Sequence, residues 1–141
     1  MAHPVQERDD RTQIADLLHS YAFAIDDQDW GRLLDVFSDR CTADYGRFGC
    51  FESAQAVHDW MRDAHVGLTS HHALANVVIE LRGDDASARS YVTVTIQRTD
   101  DPSTMLRTGG EYRDRLSRVD GRWRISEREY RTVWQDGSLA G

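Results

Sequence analysis

The hydrophobic period of this chain changes once, and that change sets what it can fold into. Before Thr69, apolar residues recur mostly at offsets of three and four. Ile14, Leu17, Leu18, Tyr21, Ala22 and Ile25 form one stripe; Trp30, Leu33, Leu34 and Phe37 a second; Ala54, Val57, Trp60, Met61 and Ala64 a third. That is the spacing of helices with one buried face. After Thr69 the period becomes two, and His71, Ala73, Ala75, Val77, Ile79 and Leu81 share one strand face. Helices first and long strands afterwards predict an α+β fold, with the N-terminal helices packed on one face of a curved sheet. Such a sheet, closed by helices, leaves an apolar pocket at one end as the expected ligand site.

The boundaries follow from local signals. Residues 1 to 8 read as frayed, and Asp9 or Asp10 as the cap of a helix over about 10–25. Asp29 caps a second helix over about 29–37. Cys41 to Tyr45 reads as a short strand, and Gly46 and Gly49 bracket a turn. Ser53 caps the third helix and Gly67 ends it. Strands are expected at about 71–81, 86–97, 106–118 and 122–134. A type I′ turn is expected at Asp120-Gly121, and a polar tail follows.

One domain is expected from 141 residues, spanning 1–141 with a core of about 10–134. No apolar run approaches a membrane span and no signal-peptide pattern opens the sequence, so a cytoplasmic location is the expectation. A net charge of −7 argues against nucleic acid as a partner. All 17 basic residues are arginine, which excludes chemistry that needs a lysine amine. Cys41 and Cys50 form no CxxC pair and read as small hydrophobes.

Chemistry is expected around Asp26 and His71. Asp26 arrives at the end of an apolar helix face, where a carboxylate is costly unless paired. Each residue alone has a plain structural reading, a turn or cap for Asp26 and a satisfied core histidine for His71. Together they form a dyad in which the carboxylate fixes the imidazole tautomer and leaves the other nitrogen as a base. Tyr21 and Tyr45 are the candidate hydroxyl donors. Tyr21 lies about 140° round an ideal helix from Asp26, so both edge one pocket only if the helix loosens there. His72 falls on the opposite face and reads as a surface or interface residue. His3, His19, His58 and His65 read as solvated. No histidine pair has metal-ligand spacing, and Asp26-Asp27-Gln28-Asp29 lacks the pattern of a calcium loop.

Four segments, in order, carry a resemblance: Tyr21-x4-Asp26-x2-Asp29-Trp30, Asp44-Tyr45-Gly46-Arg47-Phe48, Thr69-Ser70-His71, and Asp120-Gly121-Arg122-Trp123-Arg124-Ile125. Over about residues 10–134 the chain resembles the SnoaL-like polyketide cyclase/dehydratase group of the nuclear-transport-factor-two-like superfamily, near scytalone dehydratase and the bile-acid 7α-dehydratase. The resemblance implies a cone-shaped sheet, antiparallel or mixed, with helices on its concave face. It implies a homodimer or homotrimer that works without metal or organic cofactor. By position it matches Asp26 and His71 to the dyad, Tyr45 to a pocket tyrosine of scytalone dehydratase, Tyr21 to a helix-one tyrosine of the bile-acid enzyme, and Arg131 to that enzyme's late-strand arginine. Trp30, Phe48, Trp60, Tyr112 and Arg131 are the expected substrate contacts. The scytalone set is incomplete: Ile25 stands where that enzyme has a tyrosine, its second histidine falls near Ile96, and its pocket asparagine falls near Tyr112. The Asp-Arg-Asp set of limonene-epoxide hydrolase finds no match. The functional expectation is a cofactor-independent lyase, isomerase or cyclase acting on a small, mostly apolar carbonyl compound such as a polyketide or steroid. The alternative is a non-catalytic ligand-binding or assembly subunit of the same fold, such as the small subunit of a ring-hydroxylating oxygenase.

Overall fold

A computed structural model describes residues 3–140. Three helices, α1 (Pro4–Asp26), α2 (Trp30–Leu34) and α3 (Ala54–Ala64), accompany a six-stranded sheet. The strands are β1 (Phe37–Asp44), β2 (Cys50–Ser53), β3 (Leu68–Arg82), β4 (Asp85–Arg98), β5 (Met105–Val119) and β6 (Arg122–Gly137). Their order is β2-β1-β6-β5-β4-β3. All neighbours are antiparallel except β1 and β6, so the sheet is mixed and does not close. The α+β expectation holds. Among the described residues no helix is long and apolar enough to cross a membrane.

The first helix starts earlier than its sequence signals suggest. Pro4 occupies the first turn and the His3 side chain accepts from Val5 N–H, so residues 4–8 are helical. Asp10 is therefore no cap. It is buried, and accepts from Arg118 and from the Trp123 indole 3.3 Å away, tying α1 to the last hairpin. Asp29 and Ser53 cap α2 and α3 as expected, through Arg32 N–H and Ala56 N–H. The second helix is shorter than expected because Phe37 already belongs to β1.

Helix α1 ends in a Schellman motif. Asp29 N–H reaches the Ala24 carbonyl and Gln28 N–H the Ile25 carbonyl, with Gln28 in the left-handed region at φ 54°. Gln28 holds a position that usually falls to glycine. Its side chain compensates by donating to the Leu68 carbonyl at 3.0 Å, which pins the start of β3 to the helix end. Ile14, Leu18, Tyr21 and Ile25 of α1 are fully buried in one core with Leu33, Phe37, Val57, Leu116 and Ile125.

Two β-bulges decide which residues face this core. In β3 the pairing with β4 shifts between Ala75 and Val78, and Asn76 there has φ 55°. Val77, Ile79 and Leu81 face inward, as the period of two requires. Beyond the bulge the parity reverses, so Ser70, His72 and Leu74 face inward and His71, Ala73 and Ala75 face out. In β6 the pairing with β5 shifts between Ile125 and Glu127. Trp123 and Ile125 face inward, then Arg128 and Tyr130, while Arg131 faces out. The Asp120-Gly121 turn has both central residues at positive φ, the type I′ geometry.

Candidate active site

The bulge in β3 places His72, not His71, against Asp26. His72 Nδ1 lies 2.6 Å from Asp26 Oδ1, and the backbone N–H of His72 donates to Oδ2 at 2.8 Å. Ser70 Oγ donates to Oδ1 at 2.8 Å. The expected dyad partner, His71, is exposed on the other face of the same strand. Asp26 thus gathers three donors from two inward residues of β3. Burial alone would raise its pKa; the bonds from His72 and Ser70 outweigh this and hold it below the ordinary carboxylate value. An ionised Asp26 can only accept, so the proton between them sits on His72 Nδ1. In the neutral ring this tautomer leaves the lone pair on Nε2.

His72 lines a mostly apolar cavity of about 240 Å³. Tyr21, Tyr45, Trp60, Val94, Tyr112 and Tyr130 also line it, with Phe48 at the exposed rim. Asp26 does not reach the cavity; it stands behind His72. No loosening of the helix is needed for Tyr21 and Asp26 to serve one site, because the imidazole spans the gap. Of the expected contacts, Phe48, Trp60 and Tyr112 are on the wall. Trp30 lies behind it, packed on the His65 ring with centroids 5.8 Å apart. Arg131 is on the outer face, bonded to Glu111.

The tyrosine pair is real. Tyr21 Oη and Tyr45 Oη are 2.7 Å apart in a buried environment, and one of the two hydroxyls keeps a proton to offer elsewhere. Burial raises the pKa of both, only partly opposed by the charge of Arg128, so both remain protonated donors. Arg128 is the arginine that the bulge in β6 turns inward. It forms a buried two-bond pair with Asp114 at 2.7 and 2.8 Å, and its guanidinium lies over the rings of Tyr112 and Tyr21 at 3.8 and 4.3 Å from their centroids. Burial opposes its charge, but Asp114 outweighs this and keeps it protonated.

Three residues that sequence reading missed share one cause. His72, Tyr130 and Arg128 lie across a bulge from the residues their faces were counted from, and parity carried across a bulge assigns the wrong face. Asn76, a residue tolerant of positive φ in the middle of a strand, was the available signal in β3. Ser126-Glu127 carries no comparable mark. His65, read as solvated, is buried at the end of α3 and lines the cavity. The polar tail is also corrected: β6 runs to Gly137, and Leu139 folds back onto the cavity.

A larger open depression of about 770 Å³ lies on the outer face of the sheet. Arginines and glutamates line it, including Arg89, Arg113, Glu127 and Glu129, and no base or nucleophile is isolated there. Among the described residues no three His, Cys, Asp or Glu side chains converge as a metal site. Cys41 and Cys50 are unpaired.

Residues 6–129 match the model of the SnoaL-like domain. The chain belongs to that family. Similar solved structures agree on the fold. A candidate scytalone dehydratase from Novosphingobium aromaticivorans is 19% identical, covering 99% of this chain and 98% of that one, with a TM-score of 0.87. A hexachlorocyclohexane dehydrochlorinase from Novosphingobium barchaimii is 18% identical, covering 99% and 96%, with a TM-score of 0.86. A Mycobacterium tuberculosis protein of unknown function is 25% identical, covering 92% and 76%, with a TM-score of 0.80. A search of curated proteins found no match.

Proposed function

We propose that this SnoaL-like protein is a cofactor-independent lyase that eliminates water, or a comparable leaving group, from a small, mostly apolar carbonyl compound. The observation that carries the proposal is a carboxylate-anchored imidazole on the wall of a mostly apolar, aromatic cavity. The Tyr21–Tyr45 hydroxyl pair lines the same cavity. A scaffold subunit has no use for that arrangement. Two of the similar structures are described as a scytalone dehydratase candidate and a dehydrochlorinase, and both descriptions are eliminations.

The step divides among the residues as follows. His72 Nε2 takes the proton α to the carbonyl, and the C–H electron pair becomes the C=C bond of an enolate. The free hydroxyl of the Tyr21–Tyr45 pair donates to the oxygen on which charge collects. Asp26 orients His72 and stabilises the imidazolium that forms. The enolate then expels the β-substituent; a hydroxyl leaves as water with the proton returned from His72. Return of that proton to another carbon would instead give an isomerase.

A direct assay uses 3-hydroxy-1-tetralone, a β-hydroxy ketone of suitable size, which on losing water tautomerises to fluorescent 1-naphthol. β-Hydroxy ketones with aliphatic and steroid-like skeletons, and the matching enones, complete the panel. Elimination from at least one member is expected, and it should disappear in His72→Ala. Wild-type turnover in His72→Ala would remove His72 as the base and end this reading.

A further inference from the structure

A second imidazole lines the cavity and has no part in that proton transfer. His65 ends α3, where its Nδ1 lies 2.7 Å from the Met61 carbonyl. A carbonyl can only accept, so Nδ1 carries the proton and the neutral ring has its lone pair on Nε2. That bond and the Trp30 ring packed on the imidazole fix its orientation. His65 lines the cavity, and among the described residues its Nε2 has no hydrogen-bond partner. Burial is the largest influence on its pKa and, with the neighbouring His72, lowers it; the bond to Met61 and the charge of Asp26 oppose this without overcoming it, so the neutral ring is favoured.

The two cavity imidazoles are therefore unlike. A carboxylate holds His72 and can stabilise a cation there. A backbone carbonyl holds His65, and the support it gives a cation is outweighed by burial. A neutral imidazole in this tautomer cannot donate from Nε2, but it can accept. The remaining wall is mostly aromatic and aliphatic, so an Nε2 left unsatisfied in it is costly once a ligand displaces water.

We infer that His65 Nε2 is a hydrogen-bond acceptor that selects ligands carrying a hydroxyl donor in addition to the oxygen bound by the Tyr21–Tyr45 pair. The inference rests on the reading of this cavity as the substrate site, and it narrows the substrate class to hydroxylated carbonyl compounds. A site built to pair with a hydroxyl discriminates against the analogue that lacks it, because the protein group is left unpaired.

Binding to tetralones that cannot eliminate separates this from catalysis. The probes are 1-tetralone, its 5-, 6- and 7-hydroxy derivatives, and the corresponding methoxy ethers, which keep the oxygen and lose the donor. Calorimetric titration of the wild-type chain should find at least one hydroxytetralone bound about 10-fold more tightly than its ether and than 1-tetralone, the scale of one buried hydrogen bond. His65→Phe keeps the ring packing against Trp30 and removes the acceptor. It should abolish the preference, read as the ratio of the hydroxytetralone's affinity to its ether's within that variant. His65→Leu gives the same readout if phenylalanine does not fit, and His65→Gln, which keeps an acceptor oxygen, should restore part of the preference. A preference that survives both His65→Phe and His65→Leu, or no preference in the wild type while 1-tetralone binds, overturns the inference and leaves the lyase proposal standing. Failure of every tetralone to bind in the cavity overturns both.

Discussion

His71 and His72 are adjacent, chemically identical and on opposite faces of β3, which makes them a control for one another. His72→Ala should lower turnover of an eliminating substrate by about 10²–10⁴-fold, the usual contribution of a general base. His71→Ala should leave turnover near wild type, because its side chain is outside the cavity. Steady-state kinetics on both variants checks this, and equal losses would mean that His72 is not the base. Asp26→Asn should also reduce kcat, since an amide cannot stabilise an imidazolium and can stabilise the wrong tautomer. The same carboxylate makes a pH prediction. Its pKa is depressed in the folded chain, so its contribution to stability is present above the unfolded carboxyl value of about 4. That contribution is lost as pH falls through the lower folded value. Acid unfolding followed by circular dichroism should therefore show a shallower loss of stability below about pH 4 in Asp26→Asn than in the wild type.

Elements were legible where a local signal was unambiguous. The caps Asp29 and Ser53, the Asp120-Gly121 turn and the shift from helical to strand period all survive in the structure. Tyr21 and Tyr45 fall on the cavity wall, as read from the sequence, and Asp26 stands behind it; Tyr21 and Asp26 share one unbroken helical period. The inward-facing histidine and arginine were not legible, because each lies beyond a bulge that reverses parity. Counting outward from Ile79 gives His71, and counting from Ile125 gives Arg131; one extra residue in each strand turns His72 and Arg128 inward instead. The C-terminal strand was misjudged for a different reason. Gly137 has φ 86°, and a Cβ there would sit 2.2 Å from the Met105 carbonyl oxygen, so the chain turns back only because the residue is glycine. Gly137→Ala should push the end of β6 off β5 and withdraw Leu139 from the cavity. The expected result is a KM raised several-fold with the thermal midpoint little changed, since the packed core lies at a distance from this edge. Unchanged KM would show that Leu139 does not cover bound substrate.

At the scale of the whole molecule, the outward face of the sheet remains to be explained. A row across four strands runs Ala75, Tyr91, Glu111 and Arg131. Ala75, Tyr91 and nearby Val78 and Val133 are exposed. Glu111 is nearly inaccessible although it points outward, because the guanidiniums of Arg89, Arg113 and Arg131 close over it. Those bonds outweigh burial and hold its pKa at about 2. A carboxylate so thoroughly neutralised, set among exposed apolar side chains, suits a face that another protein surface covers. The expected partner is a second copy of this chain, giving a homodimer or homotrimer through this face, with the cavities opening on the other side of each sheet. Light scattering at micromolar concentration should return a multiple of the 16.1 kDa chain mass. Ala75→Arg places a long cation at the β3 end of the row, beside Tyr91, without touching the core or the cavity. It should shift the species to monomer while far-ultraviolet circular dichroism and His72-dependent turnover stay close to wild type. A wild-type monomer at that concentration, or an Ala75→Arg variant that assembles as before, would mean that the outer face is a solvated surface and that the arginine cluster around Glu111 serves only to keep a buried carboxylate charged.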